Sequence, residues 1–544
     1  MFIRKIKPVM RFNYDVINNG RDSVTKGALI VASFGILSRF LGLLRDRLLA
    51  STWGANEILD AYYAAFKIPD FIFNSLVLGA LASALIPIFI QYRENKGTAQ
   101  AYELVNKILN LLIVVLLGAA VMAAIASPWL VKIIAPGFSL YTLTLTSQLT
   151  RVMLLAVVIF GASNVLSSVL QAQQRLTAFA LAPVLYNVGI IAGLILFVPM
   201  FGPYGLAWGV VLGSLLHLLV PLPAMRKINW RWQPLFSFKD TGVRQVLALL
   251  GPRTLGLVAS QINQIITVGF VSSLAVGSLA AFSLALNLHS FSINVFGVSL
   301  AIAVFPLLSQ AFSTSQPSDF IHHFSLNLRR ILFYVMPLSV LFLVLRAQLV
   351  RVVLGSGAFD WSDTIATAQV LGFLALAIVS DSLLPLVARA FYALKDTKTP
   401  VIAALVSITV NFALLFILRP FALSGVGIAY VCSSVINLVI LIAILGQRLG
   451  NLGSSWIIAG IWQMVLGSLV AGSAAYGTLY LVAPQVDMNT FIGIFTQGLL
   501  AGLAGVVSYL VISLAFNLAE IHFVRRWLAS AWQSLSNKHK PSLS

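Results

Sequence analysis

The chain has 544 residues, of which 59% are hydrophobic and only 9% are charged, and its formal net charge is +19. Soluble domains carry about 25% charged residues, so this composition excludes a soluble multidomain protein. The apolar runs are long and unbroken, which excludes an outer-membrane β-barrel with its alternating strands. We therefore expect an all-α polytopic membrane protein. Its excess of Lys and Arg fits cytoplasmic loops rather than nucleic-acid binding.

The N-terminal segment, residues 1–27, is polar and basic. It lacks an early apolar core followed by a small-residue cleavage site, so we expect no signal peptide. Apolar segments long enough to cross a bilayer as helices follow it along the chain. The fourteen predicted spans are 28–50, 58–91, 104–126, 146–170, 177–199, 203–225, 245–271, 279–310, 331–353, 364–392, 399–418, 424–446, 456–482 and 490–518.

The distribution of basic residues predicts the orientation of these spans. With the N-terminus inside, the inside segments hold 24 Lys and Arg and the outside segments hold 4. Cytoplasmic loops carry such an excess. We therefore expect a multi-pass protein of the bacterial inner membrane with both termini cytoplasmic, the C-terminal tail being residues 521–544. The one cysteine, Cys432, excludes a disulfide framework and a CxxC metal site.

Short motifs recur at an interval of about 220 residues. The recurring pairs are Leu85-Ile86-Pro87 with Val304-Phe305-Pro306, Gly205-Leu206-Ala207 with Gly427-Ile428-Ala429, and Asn187 with Asn411. The repeat predicts an N-lobe (28–226, spans 1–6) and a C-lobe (227–448, spans 7–12). An even number of spans per repeat makes the lobes parallel, and such lobes enclose a central site. Spans 13 and 14 (449–520) are additional.

Several charged residues lie inside the predicted N-lobe spans. Arg39 is at the middle of span 1, where a charge costs several kcal/mol, so it faces either an anionic ligand or a structural ion-pair partner. Arg45 and Asp46 lie nearer the outer end, where snorkelling and a functional role are both open. Lys67 precedes Pro69 in span 2. It either contacts substrate or satisfies the carbonyl oxygen that the proline leaves without a donor.

The C-lobe has fewer charges. Arg253 follows Gly251-Pro252 in span 7, and it serves either a site or the membrane interface. Asp381 in span 10 is the one carboxylate well inside this lobe. It is either a proton- or cation-coupling group or a hydrogen-bonded structural residue. His217 and His289 are interpreted as packing or cavity-lining residues.

Sequence motifs of catalysis are missing. The chain contains no HExxH, GxSxG or GxxxxGK[ST] pattern, and its sixteen acidic residues leave few general acids. We therefore expect a protein that is not an enzyme and that uses no cofactor or metal.

Four motifs are similar to the MurJ (MviN) lipid II flippase family of the multidrug/oligosaccharidyl-lipid/polysaccharide exporter superfamily. They are SRFLGLLRD (38–46), DAYYAAFKIPD (60–70), GALASALIPIF (79–89) and GPRTLGLVASQIN (251–263). The resemblance implies a fourteen-helix fold, with two lobes around a central cavity and a lipid-tail groove at spans 13–14. It implies substrate-binding residues that match the family at Arg39, Arg45 and Lys67. Asp46 and Asp60 also match the family, and for these two a coupling role and a structural role are both open.

The chain departs from the family at two positions. The family has an Arg pair in span 2 where this chain reads Phe73-Asn74, and a cavity Arg in span 8 where it has Asn287. Several cations expected to hold a diphosphate are thus missing. Arg253 stands where the family usually has a small or neutral residue, so it is a candidate for restoring one charge.

Three hypotheses remain open from the sequence. The first is a lipid II flippase that works by alternating access, with the diphosphate held by Arg39, Arg45 and Arg253. Its driving force would be the membrane potential or an ion gradient, because there is no nucleotide motif. The second is an exporter of another polyprenyl-linked glycan or other substrate of the superfamily. The third is a non-transporting envelope scaffold. The partners implied are lipid II, membrane lipids and cell-wall synthesis proteins.

Overall fold

The computed structural model describes residues 24–78, 81–314, 317–450 and 454–521. Within these ranges every regular element is helical, as the composition predicts. The α-helices are α1 (Val24–Trp53), α2 (Glu57–Ala65), α3 (Lys67–Phe73), α4 (Leu81–Lys96), α5 (Thr98–Ile134), α6 (Leu140–Ala172), α7 (Leu176–Leu196), α8 (Val198–Phe201), α9 (Tyr204–Leu219), α10 (Pro221–Lys227), α11 (Thr241–Val271), α12 (Ser278–Ser292), α13 (Ser299–Ser313), α14 (Pro317–Val344), α15 (Arg346–Leu354), α16 (Trp361–Ala393), α17 (Lys398–Ile417), α18 (Ala422–Leu449), α19 (Ser454–Val482) and α20 (Phe491–Ala515).

The helices form two compact units. The first contains the described residues up to Leu48 together with Ala61–Ile262. The second contains Leu49–Asp60 and the described residues from Asn263 onward. Each unit has its own buried apolar residues, and the core of the second includes Phe324, Phe333 and Phe391.

The 220-residue repeat is visible in the secondary structure. Helices α6 and α16 each have 33 residues and begin 221 residues apart. Each is followed by a residue with positive φ, Gln174 after α6 and Lys395 after α16. A π-helical segment occurs in each repeat, at Asn74–Leu78 and at Ile293–Val298. The recurring sequence motifs therefore mark recurring structure.

Predicted spans 2 and 8 are each divided into shorter helices. The breaks between these helices do not lie at the prolines of the two spans. Span 2 consists of α2, α3, the π-helical segment Asn74–Leu78 and α4. Pro69 is the third residue of α3, a position whose N–H has no acceptor within a helix, so it does not disturb the helix. Pro87 and Pro306 lie inside α4 and α13. The π-helical segments, which are common at functional sites, interrupt the regular helix instead.

Eleven helices of the described residues are long and apolar enough to cross a membrane. They correspond to predicted spans 3–6 and 8–14. Span 1 corresponds to α1, whose middle carries charged residues, span 2 is divided into short helices, and span 7 corresponds to α11. The total of fourteen spans therefore stays a prediction.

Glycines let α7 and α9 approach closely in the first unit. A Cβ added at Gly189 would lie 2.4 Å from Cα of Gly213, and one at Gly193 would lie 2.1 Å from Cα of Gly209. Small residues at such contacts are typical of membrane helices, because dispersion between close backbones drives their association. This contact fixes the position of α7, which carries Asn187.

Candidate functional site

Arg39 is a cation of the first unit that has no protein partner among the described residues. It is the sixteenth of the thirty residues of α1. Its side chain is half-buried, and the described part of the chain places no hydrogen-bond acceptor or carboxylate against it. A guanidinium in this setting keeps its full charge, because it is not deprotonated in proteins. It is therefore available to an anion.

Arg45 differs from Arg39 because its charge is compensated. Its Nε and Nη2 atoms donate to Oδ1 of Asp46 at 3.0 and 2.8 Å. Asp46 is almost fully buried, with 3% of its side chain exposed, against 21% for Arg45. The two residues form a charge-assisted pair of no net charge.

Asn187 on α7 fixes the same part of α1. Its Oδ1 atom accepts a hydrogen bond from Nη1 of Arg45 at 3.3 Å. Its Nδ2 atom lies 3.1 Å from the carbonyl oxygen of Ser38 and 3.2 Å from the Ser38 hydroxyl oxygen. Ser38 and Arg45 are seven residues apart, about two helical turns, so they share one face of α1. Arg39 is about 100° from Ser38 around the helix and so points away from Asn187.

Asp60 lies at the start of the second helix of the chain and belongs to the second unit. Its Oδ2 accepts from the backbone N–H of Gly277, and its Oδ1 from that of Ala280, both at 2.7 Å. These donors belong to the first turn of α12, whose N–H groups have no acceptor within the helix. Asp60 therefore caps α12, and this contact fits the structural one of its two predicted roles.

The remaining predicted site residues lie on α3, α11, α12 and the first π-helical segment. Lys67 begins α3, and Asn74 begins the first π-helical segment. Both are half-buried, as is Asn287 on α12. Arg253 lies in α11, but its side chain lies outside the described residues. The chain thus has an uncharged side chain at Asn74 and at Asn287, where the family has arginines.

Asp381 is the centre of a hydrogen-bond network in the second unit. Its Oδ2 atom lies 2.8 Å from Nε2 of His289 and accepts from the Tyr430 hydroxyl at 3.0 Å. Its Oδ1 atom accepts from the Ser434 hydroxyl. His289 is fully buried, and its Nδ1 atom has no hydrogen-bond partner among the residues that the structure describes. This carboxylate therefore connects α12, α16 and α18 within the second unit.

The sequence did not predict the pairing of His289 with Asp381. The two residues are 92 positions apart on different helices, so no local spacing links them. Within the first unit the structure joins Arg45 and Asp46, whereas Arg39 stands apart from that pair. The interpretation of His217 as a packing residue fits its buried contact with Ser163, at 2.7 Å from Nδ1 to the hydroxyl oxygen.

Comparison with known proteins gives consistent matches over most of the chain. The family described as "Lipid II flippase MurJ" matches residues 49–500. "Probable lipid II flippase MurJ" of Buchnera aphidicola subsp. Schizaphis graminum is 30% identical over 424 residues, which cover 77% of this chain and 82% of that protein. "Lipid II flippase MurJ" of Burkholderia cenocepacia is 29% identical over 384 residues, which cover 69% of this chain and 74% of that protein.

A solved structure of a lipid II flippase also has a similar fold. The solved structure "Lipid II flippase MurJ, inward closed conformation" superimposes with a TM-score of 0.74 at 23% identity, covering 90% of this chain and 98% of that one. This likeness confirms the all-helical membrane-transporter fold that the motifs implied, whereas the number of spans, the lobe boundaries and the lipid-tail groove stay predictions. The family match begins after Arg39, Arg45 and Asp46, so the roles of these three residues stay predictions.

Proposed function

The chain belongs to the lipid II flippase MurJ family, and on that premise we propose that it carries lipid II across the bacterial cytoplasmic membrane by alternating access. It is a multi-pass protein of the inner membrane. That the chain is a membrane transporter follows from the family.

Arg39, near the middle of α1 and without a carboxylate partner among the described residues, is the observation that carries the proposal. Lipid II presents a diphosphate, and Arg binds such oxygens bidentately. The Arg45–Asp46 pair contributes no net charge, whereas Arg39 supplies a positive charge that no described carboxylate compensates. The rigid hold of Asn187 on Ser38 and Arg45 keeps that stretch of helix in place. In this proposal Arg39 contacts the diphosphate, and Arg45 positions α1.

The polyprenyl tail needs an apolar surface open to the bilayer, and α19 and α20 offer one. Leu481 on α19 is 71% exposed, and Ile492 on α20 is 74% exposed. The opposite face of α20 is packed, since Ala501 is buried and a Cβ at Gly505 would lie 2.5 Å from Leu341. We assign the tail to the exposed face of these two helices.

The direction and energy of transport complete the proposal. Both termini are cytoplasmic, as the distribution of Lys and Arg predicts. The membrane potential or an ion gradient drives the cycle, and Asp381 is the candidate coupling group of the second unit. Cell-wall synthesis proteins are the proposed protein partners.

A second candidate function is export of another polyprenyl-linked glycan. Asn74 and Asn287 favour it, because they replace two arginines of the family and so reduce the charge available to a diphosphate. A scaffold without transport is the third candidate, and it requires no function of Arg39.

Two measurements distinguish these candidates. The first is growth of a bacterium depleted of its own lipid II flippase when this chain is expressed. The second is the movement of labelled lipid II and of a labelled polyprenyl-diphosphate sugar in vesicles that contain the purified protein. Lipid II flippase activity predicts growth and movement of lipid II. Movement of only the other glycan supports the second candidate, and no movement of either supports the scaffold.

A further inference from the structure

A groove on the first unit is lined by α5, α6 and the continuous stretch of α9 and α10. Its volume is about 570 Å³, which is within the range of ligand pockets. The apolar wall consists of Leu109, Ile113, Leu166, Leu218 and Leu222. None of the groove residues belongs to the predicted lipid II site.

An extended segment after α10 closes one end of the groove, and α5 holds it there. Nδ2 of Asn106 donates to the carbonyl oxygen of Arg231 at 3.0 Å. Nδ2 of Asn110 donates to that of Gln233 at 2.7 Å, and Nε1 of Trp232 donates to Oδ1 of Asn110 at 2.9 Å. The backbone that carries Arg231 and Trp232 is therefore fixed by buried amides.

The closed end of the groove is cationic. Arg226 and Arg231 both line it, and among the described residues neither has a carboxylate partner. The nearby carboxylate of Asp240 is already paired with Lys107, at 2.9 Å. These two guanidinium groups are thus free to bind an anion.

Trp230 gives a second, independent indication of a ligand. It lines the same end of the groove and is only 5% exposed, yet its indole N–H has no acceptor within the described part of the chain. A buried donor without a partner costs about 1–3 kcal/mol, so such groups usually face a ligand or an ordered water. Trp232 beside it is 58% exposed, as is typical of indoles at a membrane interface.

The apolar wall and the cationic end have the spacing of a lipid. Leu218, Leu222 and Arg226 follow one another at intervals of four residues, so they lie on one face of the helix. The distance from Leu218 to Arg226 along the axis is about 12 Å. An acyl chain lying along this face would reach into the hydrocarbon layer while its phosphate stays beside Arg226. The predicted topology places this end at the cytoplasmic surface.

We propose that the groove is a binding site for an anionic phospholipid of the cytoplasmic leaflet. Its phosphate lies between Arg226 and Arg231 and accepts the Trp230 N–H, and one acyl chain packs on Leu218 and Leu222. Basic pockets between membrane helices bind anionic head groups in this way. The lipid is a resident ligand and not the transported substrate.

The test uses the purified, delipidated full-length protein in a non-ionic detergent. Phosphatidylglycerol, phosphatidylcholine and inorganic phosphate are each titrated, and binding is followed by native mass spectrometry and by the thermal unfolding midpoint. Phosphatidylglycerol is expected to bind and raise the midpoint. Equal binding of phosphatidylcholine overturns the proposal, as does an equal effect of inorganic phosphate, which would indicate a site for free anions.

Variants locate the site. The double variant Arg226→Gln/Arg231→Gln is expected to weaken phosphatidylglycerol binding about twenty-five-fold, roughly fivefold for each lost guanidinium. The control Lys227→Gln/Lys239→Gln removes the same charge from exposed residues that do not line the groove, and should bind like the parent protein. Trp230→Phe keeps an aromatic ring at this position and removes the N–H, so it should weaken binding without loss of folding. Unchanged binding in the double variant, or an equal loss in the control, would contradict the proposal.

Discussion

Nδ2 of Asn187 donates hydrogen bonds to Ser38, at 3.1 Å to its carbonyl oxygen and 3.2 Å to its hydroxyl oxygen. The second unit repeats this relationship, since Nδ2 of Asn411 donates to Oδ1 of Asn263 at 2.9 Å. The two asparagines are 224 residues apart, and their partners are 225 apart. An asparagine on the fifth predicted span of each lobe therefore holds the first span of the same lobe.

Replacing Asn187 should loosen α1. In Asn187→Ala the buried groups of Ser38 and Arg45 lose a partner, so we expect a loss of roughly 1–3 kcal/mol in stability and reduced transport. The measurement is the thermal unfolding midpoint in detergent together with growth complementation. Asn164→Ala is the control, because that side chain donates only within its own helix, to Phe160. Equal effects of the two substitutions would refute the proposed hold on α1.

A buried ion pair attaches the chain after α20 to α14. Nε of Arg329 lies 2.7 Å from Oε1 of Glu520, and each side chain is 4% exposed. Glu520→Ala removes the counter-charge of a buried guanidinium, which costs about 3–5 kcal/mol. We expect a large fall in the unfolding midpoint. Glu103→Ala is the control, since that exposed carboxylate lies 3.8 Å from Lys107 and such pairs contribute about 1 kcal/mol or less. A fall no larger than the control's contradicts the prediction.

Much of the fold follows from the sequence, whereas much of the site does not. Long apolar segments and the 220-residue offset predict helices and a repeat, because each depends on local composition or on spacing along the chain. The pairing of His289 with Asp381, and the capping of α12 by Asp60, depend on tertiary contacts between distant segments. From the sequence, Arg39 and Arg45 are both candidates for binding the diphosphate. Only the structure shows that Asp46 compensates the charge of Arg45.

The loop before α17 should show a dependence on pH. Burial alone raises the pKa of the Asp396 carboxyl, but hydrogen bonds from Thr399, Arg448 and the Lys398 N–H outweigh it and lower the pKa from 3.8 to about 2. A carboxyl with a lowered pKa stabilises the folded state above its unfolded pKa, and that contribution is lost as the pH falls. The stability difference between the parent and Asp396→Asn should therefore be constant above about pH 5 and should shrink toward pH 2.

The measurement for Asp396 is the unfolding midpoint of both proteins between pH 2 and pH 7. The Arg448 guanidinium stays charged over this range, so the change reports the carboxyl. A difference between the two proteins that does not vary with pH would show that the carboxylate contributes nothing as an ion.

Reporter fusions test the predicted orientation. Fusions at Asn229 and Lys398 should report the cytoplasm, and fusions at Asn56 and Val486 should report the outside, because the Lys and Arg excess is predicted to be inside. Asn229 is the sharpest position, since it also lies at the proposed phospholipid groove. An outside signal there would overturn the predicted topology and the assignment of the groove to the cytoplasmic leaflet.

The most direct test of the account replaces Arg39 in the flippase-depleted strain and measures growth together with the amount of protein in the membrane. Arg39 has no described carboxylate partner, so Arg39→Ala should leave abundance unchanged and abolish growth. Arg39→Lys should be partly active, because it keeps the charge and loses the bidentate geometry. Lys132→Ala, at an exposed cation of α5, is the control and should grow normally. Normal growth of Arg39→Ala, in a strain that the parent protein rescues, would show that the diphosphate is held elsewhere and would contradict the account.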